Sequence, residues 1–135
     1  MNIQTHLSLA KVKSNSNSFQ SVSKVRDFIM LIDEPITKGG TNQSPAPLDY
    51  LTTALGGCTV NYLKYKAQKK GIDTGEIMVK VKLLQIENDN SSFKREIKFE
   101  KTLKNHQKEY LLLQSKKTPV TLVLNNCIIN TKIRN

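Results

Sequence analysis

The stretch from Ser44 to Gly71 constrains the fold more than any other part of this sequence. Ser44 or Ala46 can cap a helix, Pro47 suits its first turn, and Asp49 complements the positive end of its dipole. Leu48, Leu51, Leu55, Cys58, Tyr62 and Tyr65 then recur at spacings of three and four, widened by Val60 and Leu63. Lys64, Lys66, Lys69 and Lys70 crowd the last turns, and Gly71 supplies the stop. The spacing predicts one long amphipathic helix. Gly56 and Gly57 fall in its middle, where each costs about 1 kcal/mol relative to Ala. Such a pair points to another backbone or a ligand approaching closely.

The flanks of that helix change period. Ile3, Thr5, Leu7 and Leu9 alternate with more polar neighbours, as in a half-buried strand. The Ser/Asn-rich run from Ser14 to Ser23 reads as a hairpin turn leading into a second short strand. Phe28-Ile29-Met30-Leu31-Ile32 is an apolar run short enough for a buried strand, stopped by Asp33-Glu34-Pro35. Asp33 and Glu34 read most simply as turn formers, and Lys38 to Asn42 as a flexible loop. Beyond Gly71, Ile77, Val79, Val81 and Leu83 alternate with Met78, Lys80 and Lys82, and Phe93 to Leu103 pairs with them as a β-hairpin. Phe93, Ile97 and Phe99 share one face of its second strand. A helix over Asn105–Lys117, a further helical turn over Val120–Leu124 and a closing strand over Cys127–Ile133 complete the reading. The fold class is α+β, with antiparallel sheet packed on a helix.

The 135 residues suit one domain, 1–135, able to bury a core without metal or disulfide staples. A mean hydropathy of −0.41 leaves no segment near the roughly 18–20 apolar residues of a membrane span. The opening residues lack a basic segment followed by an apolar run, which predicts no signal peptide and a soluble, cytoplasmic protein. Residues 1–58 carry five basic and four acidic side chains, whereas residues 59–135 carry sixteen and seven. A basic half invites a nucleic-acid reading. Against it stand the absence of Trp, 6% aromatics and only three arginines, Arg26, Arg95 and Arg134. Base stacking and bidentate base contacts have few carriers, so the lysines read as a solubilising surface.

Cys58 is the leading chemical candidate, on a helix and just after two glycines. Its plainer role is a small core hydrophobe. A reactive thiolate in mid-helix gains little from the helix dipole and needs a cation from elsewhere in the fold. Cys127 reads as a buried strand thiol. His6 and His106 read as surface residues, and the two Cys and two His have no zinc spacing, so no metal or cofactor is expected.

Asp33-Glu34-Pro35, Gly39-Gly40, Ser44-Pro45-Ala46-Pro47-Leu48-Asp49 and Ala54-Leu55-Gly56-Gly57-Cys58-Thr59 together resemble the central signature of the OsmC/Ohr family. The resemblance continues through Lys69-Lys70-Gly71-Ile72, the strand pair and Thr118-Pro119-Val120. It implies an OsmC-like fold, antiparallel sheets on a long central helix, and an intertwined homodimer with active sites at the subunit interface. It also implies a peroxiredoxin-like, antioxidant thiol peroxidase of the stress response that reduces organic hydroperoxides. By position the peroxidatic cysteine is Cys58, Asp49 falls at or beside the family's carboxylate, and Arg26 stands for its early arginine. Thr118 occupies the place of the resolving cysteine, where a hydroxyl cannot form a disulfide. Two functions follow from the resemblance. One is a single-cysteine peroxidase regenerated by an external thiol reductant. The other is a catalytically degenerate protein binding a small apolar ligand at the dimer interface.

Overall fold

The computed structural model describes residues 7–88 and 90–134. The chain divides into two compact units between Leu51 and Thr52.

The first unit is built on three antiparallel strands, β1 (Ala10–Ser14), β2 (Ser21–Val25) and β3 (Phe28–Ile32), in that spatial order. β1 begins where the sequence pattern placed the approach to a turn. Of the strand expected around Ile3–Leu9, Leu7 and Leu9 are exposed coil, while Ile3 and Thr5 lie outside the described residues. A two-residue turn joins β2 to β3, with Arg26 at φ 53. β3 has the expected bounds but not the expected burial. Phe28, Ile29 and Leu31 are exposed, and Ile29 and Leu31 share a sheet face with Val22 and three lysines of β1 and β2.

After β3 the chain turns around Asp33, which is 1% exposed. Its carboxylate accepts backbone hydrogen bonds from Glu34, Thr41 and Gln43, and the Thr41 hydroxyl donates to it at 2.6 Å. Asp33 is therefore the knot of the loop and not a simple turn former. Gly40 packs against the Glu34 backbone so closely that a Cβ would meet its carbonyl oxygen at 2.0 Å.

α1 runs from Pro47 to Lys69 and ends at Gly71, which has φ +65. In the second unit it is joined by the hairpin β4 (Ile77–Gln85) and β5 (Ser91–Phe99), then α2 (Asn105–Ser115) and α3 (Pro119–Asn126). Leu63 and Ala67 of α1, with Leu103 and Leu111, form the core, flanked by Ile72, Ile77, Ile97, Phe99 and Tyr110. The buried stripe of α1 passes through Leu55, Thr59, Leu63 and Ala67. The line expected from apolar residues alone is rotated off it: Leu48 and Tyr65 are exposed, and Cys58 and Tyr62 are half-buried on its border. Thr59 can lie inside because its hydroxyl donates to Leu55 O at 2.7 Å.

The closing strand expected over Cys127–Ile133 does not form; the residues there carry no regular secondary structure. Among the described residues no strand pairs with that segment, and Ile128, Ile129 and Ile133 are exposed. Cys127 is correspondingly not buried. It is exposed at the C-cap of α3.

Candidate functional site

Cys58 stands half-buried on α1, one residue before Thr59. The hairpin meets the helix at this level. A Cβ on Gly56 would touch Val81 Cγ2 at 3.4 Å, and nothing lies within 4 Å of one on Gly57. Within the second unit, the glycine pair thus admits no close backbone. It keeps one helical turn low opposite a valine side chain.

Directly across the ladder from Val81 is Arg95. Strand alternation puts it on the face of Phe93, Ile97 and Phe99, so a charge interrupts an otherwise apolar row. Its guanidinium gathers three elements. Nη1 donates to Thr59 Oγ1 on α1 at 2.9 Å and to Thr121 Oγ1 on α3 at 3.1 Å. Nη2 donates to the Ser115 carbonyl at the end of α2 at 2.7 Å. That carbonyl carries the negative end of a helix dipole, which favours a cation there. Among the described residues no carboxylate pairs with Arg95. Burial holds the guanidinium below its usual basicity, and the Cys58 thiol works in the opposite direction. A partly buried cation with only neutral holders favours an anion beside it.

Behind Thr121 stands Thr118, fully buried and the N-cap of α3. The two hydroxyls are 2.6 Å apart, and the Thr121 N–H also donates to Thr118 Oγ1. Thr118 thus presents a buried, hydrogen-bonded hydroxyl at the start of α3. The eight residues of α3 separate Thr118 from Cys127, a rise of about 12 Å. Cys127 therefore stands at the opposite end of α3 from Thr118. A cavity of about 430 Å3 opens at Arg95, walled by Leu55, Phe93, Thr121 and Leu124. Leu55, one turn before Cys58, is the residue that α1 contributes to its wall. A larger one of about 570 Å3 also reaches Arg95 but is lined by no residue of α1.

A family model described as OsmC-like protein matches residues 40–132. The chain belongs to the OsmC-like family. No match appears among curated proteins. Among solved structures, this OsmC-like chain is similar to a putative osmotic stress induced and detoxification response protein from Psychrobacter arcticus. That pair has 18% identity and a TM-score of 0.74, covering 90% of each chain. An OsmC like protein from Mycoplasma pneumoniae has 17% identity and a TM-score of 0.71, covering 92% of this chain and 91% of that one. The organic hydroperoxide resistance protein OhrB of Bacillus subtilis has 14% identity and a TM-score of 0.64, covering 90% and 93%. These likenesses establish the α+β fold, antiparallel sheets with a long helix.

Of the residues singled out by sequence, Cys58 and Thr118 fall in the second unit of this OsmC-like chain, Thr118 with its hydroxyl 2.6 Å from that of Thr121. Arg26 and Asp49 belong to the first. Arg26 lies exposed in its turn with the guanidinium over the Phe28 ring, and Asp49 accepts from the Ala46 N–H at the start of α1. His106 is exposed near the start of α2, and His6 lies outside the described residues. Among the described residues no group of His, Cys, Asp and Glu could hold a metal. Among the described residues no helix is long and apolar enough to cross a membrane. Arg95 is the residue the sequence reading passed over.

Proposed function

We propose that this OsmC-like chain is a single-cysteine thiol peroxidase of the stress response, reducing organic hydroperoxides through Cys58. The observation that carries the reading is Arg95, a partly buried guanidinium with no carboxylate partner among the described residues, hydrogen-bonded to the residue next to Cys58. Three of its five N–H donors are engaged, leaving two for a thiolate and an incoming peroxide. Support also comes from family membership and from similar structures described as detoxification response and organic hydroperoxide resistance proteins.

The Cys58 thiolate attacks the peroxide's terminal oxygen. An S–O bond forms, the O–O bond breaks, and the leaving alkoxide takes a proton to become the alcohol. The sulfur is now a sulfenic acid. With Thr118 in the second cysteine's place, an external thiol condenses with it, releasing water and giving a mixed disulfide. A second external thiol attacks that disulfide, leaving the oxidised reductant and restoring the thiolate. The family resemblance also names Arg26 and Asp49 as candidate residues. Arg26→Ala and Asp49→Asn belong beside Arg95→Met in the same assays.

The working unit in this reading is a cytoplasmic homodimer. The exposed Phe28, Ile29 and Leu31 of β3 and Ile128 and Ile129 beyond α3 support it, because a second copy would cover them. Sedimentation of a single 15.3 kDa species at micromolar concentration would count against it. The catalytic reading is tested by consumption of cumene hydroperoxide with dithiol and monothiol donors, comparing wild type with Cys58→Ser. Turnover in the wild type alone is expected. Equal rates in both would leave the ligand-binding reading, with Cys58 as filler.

A further inference from the structure

Arg95 can only donate hydrogen bonds, so each of its holders must accept. Thr59 Oγ1 accepts from Arg95 while its own proton goes to Leu55 O. Ser115 O is an acceptor by nature. Thr121 Oγ1 is the third, and it lies 2.6 Å from Thr118 Oγ1, a pair in which either hydroxyl can donate. The chain Arg95 to Thr121 to Thr118 leaves no donor facing a donor. Thr118 is itself fixed by its burial, by Pro119 and by the Thr121 N–H it caps.

We infer that Thr121, seated by Thr118, is a positioning residue for the Cys58 site: its hydroxyl holds Arg95 Nη1 at the helical turn that carries the thiol. This inference rests on the proposed role of Cys58 and Arg95. It gives the position before Pro119 an orienting task in place of a redox one. Sulfur is a weak acceptor and a longer reach, so a cysteine at 118 would not seat Thr121 in the same way. Thr121 touches neither thiol nor peroxide and acts only through the guanidinium.

The test is the pH profile of Cys58 alkylation by iodoacetamide in full-length protein carrying Cys127→Ser, so that one thiol reports. Thr121→Val keeps the backbone N–H that caps onto Thr118 and removes only the hydroxyl. It is expected to slow alkylation at neutral pH about three- to tenfold, the scale of one hydrogen bond, and to move the profile to higher pH. Thr121→Ser is expected to restore it. In an Arg95→Met background Thr121→Val should add nothing, because the two changes share one route. Thr121→Ala replaces the valine variant if that one unfolds in urea too early to assay. No shift in Thr121→Val, or an equal shift with and without Arg95, overturns the positioning role alone. An unchanged profile in Arg95→Met overturns the functional reading beneath it.

Discussion

Arg95 on β5 donates a 2.9 Å hydrogen bond to the hydroxyl of Thr59 on α1, the residue that directly follows Cys58. Thr59 is fully buried, so this bond fixes a charge against the most enclosed turn of the helix. Removing the hydroxyl strands a guanidinium donor where water is scarce. Thr59→Val is expected to cost about 1–3 kcal/mol in urea unfolding, and Thr59→Ser to recover most of it. A valine variant as stable as wild type would mean that Arg95 finds water there instead.

Thr118→Cys restores a thiol at the position before Pro119. It should lose about 1 kcal/mol of stability with the N-cap. Treated with one equivalent of hydroperoxide, the variant should gain a disulfide between Cys58 and the new thiol, seen as a mobility shift that dithiothreitol reverses. Persistent Cys58 sulfenic acid in that variant would show that the two positions are not within disulfide reach.

Asp33 ties the loop after β3, and its hydrogen bonds from Thr41, Glu34 and Gln43 hold the carboxyl well below the usual carboxylate range. A carboxyl depressed in the folded state adds stability that is complete above the unfolded value, near 4, and is lost as pH falls below it. Asp33→Asn turns an amide donor toward some of those donors. The variant should be clearly less stable than wild type at pH 7, and the gap should narrow steadily as pH falls below about 4. A gap that is constant with pH would place the effect in packing rather than charge.

Two glycines should respond oppositely to alanine. At Gly40 the new Cβ would collide with the Glu34 carbonyl, so Gly40→Ala should cost about 1–3 kcal/mol. At Gly57 it would meet nothing within 4 Å in a helix, so Gly57→Ala should stabilise the protomer by about 1 kcal/mol. Urea midpoints of the two variants decide it, and the same sign for both would contradict the packing described.

The long helix, β3 and the hairpin were readable because their periods and stops are local: Pro47, Gly71, Pro35 and the alternation from Ile77. The strand expected over Cys127–Ile133 was not, since alternation specifies a face but not the neighbour that must pair with it. The buried line of α1 was displaced because Thr59 looks polar in sequence and is made apolar by its bond to Leu55 O. Cys58 stood out as a candidate from its glycines and its family-like surroundings. Arg95 left a signal that went unread: it sits between Phe93 and Ile97 on the inward face of a strand, where a charge needs a reason. Its partners Thr59, Ser115 and Thr121 are 20 or more residues away and converge only in the fold.

The central claim is a one-thiol cycle at Cys58, and mass spectrometry after one equivalent of cumene hydroperoxide in the presence of dimedone tests it most directly. The account predicts a dimedone adduct on Cys58, none on Cys127, and no disulfide between them. An unmodified Cys58 beside consumed peroxide, or a Cys58–Cys127 disulfide, would contradict it.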